Sequence, residues 1–592
     1  MTRHATRAPR RRSHLALLGA ALAAAAAGGC RAPARPAAAA SPATGAFPEG
    51  WRFPAGSRRA TVAEHAMVAS NSELASAAGA EVMRRGGNAV DAAVATGFAL
   101  AVTHPEAGNL GGGGYMVIRM ADGRVAALDY REVAPLAASR DMFLGPDGKT
   151  APTSIDGHLA SGVPGAVAGM AEALRKYGTM SLRDVMQPAI RLAEQGFEVD
   201  SALAASLAAQ TTRLRTYAAG SPFFPNGAPI ARGARLAQPD LARTLRAIAE
   251  RGPDAFYRGE IADSLVAEMR RGGGVITRDD LARYRPEWRE PLRSTYRGHT
   301  LFSMPPSSSG GITVTETLNI LESGGAVPPF GSAAYAHLLG SAYQRAFVDR
   351  NAKLGDPAFV DVPLAQLTSK AYAARLRASI APGHATPTAQ LPNATAIREG
   401  NQTTHYSVVD AAGNAVATTT TINELYGSGV WVRGAGFFMN DEMDDFATRP
   451  GQPNMFGLVQ GEQNAIAPGK RMLSAMSPTI VLDPAGKLLL VVGGRGGPRI
   501  ITSTSQVILN VIDHHMSLAD ALSAPRIHHQ ALPDSLRYEP AGLSPAVLDS
   551  LGAMGHAMSR GAASGTCAAV MRVPGGWAGM VDPRASGGAA GY

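Results

Sequence analysis

From Ser72 the segment SELASAAGAEVMRRGG sets small and apolar residues around most of a helical circumference, with Ser72 as N-cap and Gly86 or Gly87 as its stop. Asn88 then caps a second helix, AVDAAVATGFALAVTHP, which Pro105 ends. A helix apolar on nearly every side must be covered on two faces, for instance by a sheet and a further layer. The period then changes. After NLGGGG, the runs YMVIRM and VAALDYRE flank the turn ADG and predict a β-hairpin. Residues 155–385 return to amphipathic helical stretches (VAGMAEALRKYG, LRDVMQPAIRLAEQG, LARTLRAIAERG) without an internal repeat. A Pro, Ala, Thr and Asn stretch over 386–402 reads as an exposed linker, and it runs directly into THYSVVD, AAGN and AVATTTTIN, a strand, turn and strand. With Asp410 facing Ala415, Thr403 falls opposite Ile422, which brings Thr421 and Asn423 beside it to within about one residue of register.

The first 60 residues follow neither period. An arginine-rich start is followed by LALLGAALAAAAAGG, too short for a permanent membrane span, so 1–29 read as an export signal that directs the chain to the periplasm. The string AGGC resembles a bacterial lipoprotein cleavage site, in which Cys30 becomes the lipidated first residue and ties the protein to the membrane; ordinary signal cleavage nearby is the other reading, and both stand. Residues 30–60 read as a low-complexity tether. Cys30 and Cys567 are the only cysteines, so a mature chain has no intramolecular disulfide.

The net charge of +9 includes Arg3, Arg7, Arg10, Arg11 and Arg12 of the leader, and without those five it is +4. No later segment interleaves Lys and Arg with aromatics, which argues against a nucleic-acid partner. The loop GNLGGGG precedes strands instead of opening a helix, and GPDGKT lacks phosphate-loop spacing, so neither implies a nucleotide cofactor. The pairs His514–His515 and His528–His529 lack Cys or carboxylate partners at ligand spacing; no metal and no cofactor is expected.

What the hairpin offers is three small polar side chains at its open end. A threonine acts as a nucleophile when its own α-amino group is free to take the hydroxyl proton, which requires Thr403 to be a chain terminus. A linker ending at Gln402 before a strand that begins with Thr403 is the layout of a chain that cuts itself by an N-to-O acyl shift. Read singly, the other polar residues have plainer roles. Arg131 pairs with Glu132 or Asp129, Asp444 and Asp445 cap a loop, Gly493 to Gly497 form a turn, and Cys567 is a buried thiol. His405, on the same strand face as Thr403, packs or supports structure.

Taken together, GGNAVDAAVA, GGGGYMV, DYREVAP, NQTTHYSVVD, NDEMDDF, SPTIV, GGPRI and the closing DPRASGGAAGY resemble the γ-glutamyltranspeptidases of the N-terminal nucleophile hydrolase superfamily, from about residue 65 to 592. The resemblance implies an α/β (α+β) fold, a four-layer αββα sandwich. One precursor is cut between Gln402 and Thr403 into a large subunit, 61–402, and a small subunit, 403–592, which stay intertwined as a heterodimer. It also implies transfer of a γ-glutamyl group from glutathione or related amides, through an ester on Thr403, to water or to an amino acid or peptide acceptor. By the same resemblance Thr421 hydrogen-bonds the nucleophile, and Gly496 and Gly497 supply the oxyanion hole. Asn423, Glu442 and Asp445 hold the donor's α-amino group, while Arg131 and Ser474 hold its α-carboxylate. A zwitterionic donor does need a cation at one end and carboxylates at the other.

Three positions depart from the family pattern. Ala475 stands in place of a second carboxylate-binding serine, Arg495 in place of the usual Ser-Pro before the glycine pair, and Phe456 in place of a lid tyrosine. The competing readings are a cephalosporin (glutaryl) acylase of the same architecture and a non-catalytic surface binding protein.

Overall fold

Both expected caps form. The computed structural model describes residues 47–394, 402–448 and 461–592, so the leader, Cys30 and Phe456 lie outside the described residues. The Ser72 hydroxyl accepts from Ala75 N ahead of helix Glu73–Arg84. Asn88 and Asp91 cap each other's backbone N–H at the start of helix Ala89–Thr103. All of Ala89–Thr103 is buried, between strands Thr404–Val409 and Ala415–Thr421 on one side and helices Ala166–Tyr177 and Leu182–Gln195 on the other.

Two seven-stranded sheets, antiparallel throughout, form the middle layers. The first runs Gly588–Gly591, Met67–Ser70, Thr404–Val409, Ala415–Thr421, Gly113–Arg119, Val125–Tyr130, Glu287–Arg289. The second runs Thr61–Ala63, Gly576–Val581, Thr566–Val573, Leu488–Arg495, Thr479–Leu482, His299–Ser303, Leu292–Tyr296. Strand alternation sorts the apolar residues into three cores. Tyr406, Val408 and Val416 face the helices around Phe98; Val409, Ala415 and Ala417 meet Val491 and Val570 between the sheets; Leu490 and Val492 face Leu339 and Ile508 on the far side. Each fully buried Val, Leu or Phe contributes roughly 1.5–3 kcal/mol, and the described cysteine, Cys567, is buried and unpaired. This is the expected αββα sandwich.

The structure corrects three expectations. The tether does not extend to residue 60: Trp51 and Phe53 are buried, the Trp51 indole N–H donates to Ser523 O at 2.9 Å, and Thr61–Ala63 is an edge strand. Two aromatic rings gain too much by burial to stay in solvent. The start of the linker is likewise anchored, with Thr388 fully buried and its hydroxyl donating to Asp534 Oδ1 and Ala531 O. In the hairpin, Val409 pairs with Ala415 and Thr404 with Thr420, one residue from the expected register. Asp410 faces Asn414 because its carboxylate accepts from the N–H groups of Ala412 and Asn414, while Gly413 (φ 84°) closes the turn. Continuing that register, Thr403 lies opposite Thr421.

Candidate active site

Along Thr404–Val409 side chains alternate between the helix face and the inter-sheet face. Thr404 takes the former, where its hydroxyl donates to Asn71 Oδ1 at 3.1 Å. Thr403 and His405 share the latter. The His405 ring bridges Thr419 Oγ1 (2.8 Å) and Ser407 Oγ (3.1 Å), and burial drives its pKa down to about 3, so it is neutral and fully engaged. It packs against Gly493, where an added Cβ would come within 2.4 Å of the ring. His405 is thus a strut between the sheets and not the base of a threonine dyad.

That contact fixes what Thr403 faces. Ser407 donates to Val491 O and His405 meets Gly493, so two residues on, Thr403 (5% exposed) aligns with the end of Leu488–Arg495. There Gly496 and Gly497 turn the chain into helix Arg499–Ile512. Their φ values, 124° and 59°, lie where side chains are strained, and a Cβ on Gly496 would sit 2.9 Å from Gly565 Cα. Neither Gly496 N–H nor Gly497 N–H donates to an acceptor among the described residues.

Opposite Thr403, Thr421 Oγ1 donates to the Gln402 carbonyl at 3.0 Å and accepts from Asn423 N at 2.7 Å. The acceptor of that first bond is the carbonyl of the peptide preceding Thr403. Asn423, at a φ of 77°, also accepts Gln402 N–H on its carbonyl and donates through Nδ2 to Asp441 O at 3.1 Å. This ties the hairpin's open end to the turn Glu442–Asp445.

Arg131, 1% exposed at the end of strand Val125–Tyr130, meets that turn. Its Nη1 lies 2.7 Å from Glu442 Oε2 and its Nη2 2.5 Å from Asp445 Oδ2, while Glu132 is 3.6 Å away. The residues expected to grip opposite ends of a zwitterion therefore grip one another. Burial disfavours the guanidinium's charge, but Glu442, Asp445 and Glu132 outweigh it and hold its pKa above the usual value. The carboxylates bear the opposite strain: burial, only partly offset by Arg131, pushes Glu132 up to about 8 and Glu442 also upward. Among the described residues Arg131 is shared by three carboxyl groups, and burial drives Glu132 and Glu442 toward their protonated forms.

Ser474 stands nearby: Arg131 Nε reaches Met472 O at 3.5 Å, and the Ser474 hydroxyl accepts from Met476 N at 3.2 Å. Ala475 is buried in the apolar layer behind the second sheet. Arg495 is not a loose cation. Its Nε donates to Thr566 Oγ1 at 3.0 Å, and its Nη1 lies 3.9 Å from Glu106. Asp444 accepts from Ser154 Oγ at 2.7 Å, and His528 is buried against Thr502 and Gln530.

In the sequence Glu132 reads only as an ion-pair partner of Arg131, and Asp441 and Asn109 do not stand out as site residues. Glu132 sits inside DYRE and Asp441 inside NDEMDD; both are buried with raised pKa values, Asp441 by burial. Asn109, within GNLGGGG, donates to Thr421 O at 2.9 Å and steadies the strand end. The signal was their place in the quoted motifs, but nothing in sequence spacing showed which polar residues would be buried together. Among the described residues no group of three or more His, Cys, Asp or Glu is arranged to hold a metal ion.

The chain is similar over most of its length to known proteins. The glutathione hydrolase proenzyme of Escherichia coli (strain K12) is 48% identical over 528 residues, covering 86% of this chain and 89% of that protein. Among solved structures, cephalosporin acylase from Bacillus halodurans superposes with a TM-score of 0.79 at 29% identity, over 92% of this chain and 99% of that one. Helicobacter pylori gamma-glutamyltranspeptidase gives 0.54 at 41% identity, over 57% of this chain and 97% of that one. The sequence profile described as Gamma-glutamyltranspeptidase matches residues 75–592, and the chain belongs to the gamma-glutamyltranspeptidase family.

Proposed function

We propose that this protein cuts itself between Gln402 and Thr403 and then, through the new N-terminal threonine, hydrolyses or transfers γ-glutamyl groups from glutathione and related amides. The observation that carries the reading is the Thr421 hydroxyl donating to the Gln402 carbonyl, which polarises the bond that Thr403 has to attack. Thr403 Oγ adds to that carbon, and the tetrahedral intermediate collapses with the Thr403 nitrogen leaving as an amine. Water then hydrolyses the resulting ester. The products are a Gln402 carboxylate and a Thr403 whose α-amine, with a pKa near 8, serves as its own base.

In the mature enzyme the same hydroxyl attacks the γ-carbonyl of the donor, the α-amine takes the proton and returns it to the departing amine, and a γ-glutamyl ester remains on Thr403. Water or an acceptor amine resolves it. Gly496 and Gly497 offer unengaged N–H groups to the oxyanion, each worth roughly 2.7–4 kcal/mol. The donor's α-carboxylate goes to Arg131 and Ser474, and its ammonium goes to Asn423, Glu442 and Asp445. An ammonium favours the ionised form of the buried Glu442 carboxyl, whose pKa burial raises. An acylase donor without an ammonium brings no such partner, which favours the γ-glutamyl reading.

The leader supports export to the periplasm, with Cys30 as the site of a lipid anchor. Cell fractionation tests it: release with the periplasmic contents rules the anchor out. Among the described residues no helix is long and apolar enough to cross a membrane.

A denaturing gel with N-terminal sequencing, run beside Thr403→Ala, tests self-cleavage. Wild type is expected as two bands, the smaller beginning at Thr403, and the variant as one. A wild-type chain that stays whole refutes the proposal. A cleaved chain that releases nothing from a γ-glutamyl anilide shifts the assignment to the acylase.

A further inference from the structure

At the head of strand Thr404–Val409 lies a cleft of about 420 Å³ whose wall includes Asn71, Glu73, His104, Glu106, Glu198 and Asp200, and no Lys or Arg. Its position ties it to the candidate chemistry on three sides. Asn71 holds the hydroxyl of Thr404, the residue after the nucleophile. The Glu106 carbonyl accepts from Tyr426 N at 3.1 Å, on the loop that follows Asn423. The Glu106 carboxylate lies 3.9 Å from Arg495, the residue before Gly496.

Glu73, Glu198 and Asp200 are exposed at the mouth, whereas His104 and Glu106 on the inner wall are 5% and 7% exposed. His104 Nε2, Glu106 Oε2 and Arg495 Nη1 are buried and have no hydrogen-bond partner among the described residues. His104 Nδ1 lies 3.5 Å from Glu106 Oε1, so with the proton on Nδ1 the free Nε2 is an acceptor. A carboxylate oxygen and an imidazole nitrogen, both buried and both lacking a donor, match an ammonium group, which carries three N–H donors and no acceptor.

We propose that this cleft is the acceptor subsite, in which Glu106 and His104 receive the ammonium of an amino acid or short peptide drawn in by the acidic mouth; His104 Nε2 takes one of its protons, the free amine bonds to the ester carbonyl carbon, and Thr403 Oγ leaves with a second proton from that amine. The proposal rests on the γ-glutamyl-transfer reading. It also gives a role to the departure at position 495: Arg495, fixed to Thr566 and next to Gly496, keeps its Nη1 3.9 Å from Glu106.

The test uses the self-cleaved enzyme, γ-glutamyl-p-nitroanilide as donor and glycylglycine as acceptor. Glu106→Gln removes the charge on the inner wall; Glu198→Gln with Asp200→Asn removes it at the mouth, where asparagine still caps helix Ser201–Ala209. The KM for glycylglycine, taken relative to the donor KM without acceptor, is expected to rise roughly tenfold in Glu106→Gln and severalfold in the double variant. Should Glu106→Gln fail to mature, the exposed double variant carries the test. Unchanged ratios overturn the subsite while leaving γ-glutamyl hydrolysis intact. A wild-type enzyme that releases nitroaniline but ignores glycylglycine does the same, and one that releases none removes the reading beneath the proposal.

Discussion

Two buried clusters of charged side chains can be set against each other. In the first, Arg526 and Arg584 face Asp582 and Glu539: Arg526 Nη1 donates to Asp582 at 2.6 Å, and Arg584 donates to Glu539 at 2.7 and 2.8 Å and to Asp582 at 3.0 Å. Backbone carbonyls of Leu522, Ala524 and Gly565 take the remaining donors of Arg526 Nη and of Arg584. Burial works to raise the Asp582 pKa, but the two arginines outweigh it and hold it low. In the second, Arg131 faces Glu132, Glu442 and Asp445, neither Glu132 oxygen has a hydrogen-bond partner among the described residues, and the pKa values of Glu132 and Glu442 rise. Arg526 and Arg584, with the more exposed Arg52 at 3.4 Å from Glu539, make a structural joint in which the Asp582 carboxylate stays ionised. Carboxyl groups that burial pushes toward their protonated form, as it does Glu132 and Glu442, make a site that gains when a ligand brings its own ammonium.

Removing Arg131 is the hardest test of this contrast. Arg131→Met should lower kcat/KM for a γ-glutamyl anilide about a thousandfold, mostly through donor KM, since the guanidinium that would pair with the substrate's carboxylate is gone. A loss under tenfold would contradict the assignment. Arg526→Met in the first cluster should instead cost about 3–5 kcal/mol of stability, read from denaturant midpoints, while the protein that remains folded keeps its donor KM. A shifted KM there would erase the distinction between the two clusters.

The pH dependence separates them more gently. Glu132 ordinarily titrates near 4.5 and is raised to about 8 in the fold, so folding takes up a proton between those values. Its contribution to stability is present below about 4.5 and is lost as pH climbs through about 8. Glu132→Gln should therefore show a shallower fall in Tm than wild type across that window, and parallel curves would show that Glu132 does not carry the proton. Asp582, held low, contributes in the opposite sense: its stability is present above its ordinary value of 3.8 and is lost as pH falls through the depressed one. The smallest expected effect is that of Ala475→Ser, which restores the missing hydroxyl and should lower donor KM about fivefold if the hydroxyl reaches the α-carboxylate. An unchanged KM with a lower Tm would place it in the apolar layer alone.

The two small-residue helices, their Ser72 and Asn88 caps and the pair of hairpins were legible because each depends on neighbours within a few residues. The register of the second hairpin was missed by one position, since the Asp410 carboxylate decided it by capping Ala412 and Asn414. Trp51 and Phe53 were hidden by the low-complexity sequence around them, and their partner, Ser523, lies far along the chain. The motif DPRASGGAAGY was recognised without its purpose; Asp582 and Arg584 turn out to build the structural joint with Arg526 and Glu539.

By itself the sequence determined the local elements, the position of Thr403 at the head of a strand, and through its motifs the family. Only the tertiary structure decided which charges share a buried pocket, because Coulomb interaction and desolvation depend on distance and burial and not on separation along the chain. Thus Arg131 and Asp445, 314 residues apart, became one cluster, Arg495 acquired Glu106 as its partner, and His405 was left neutral between the sheets.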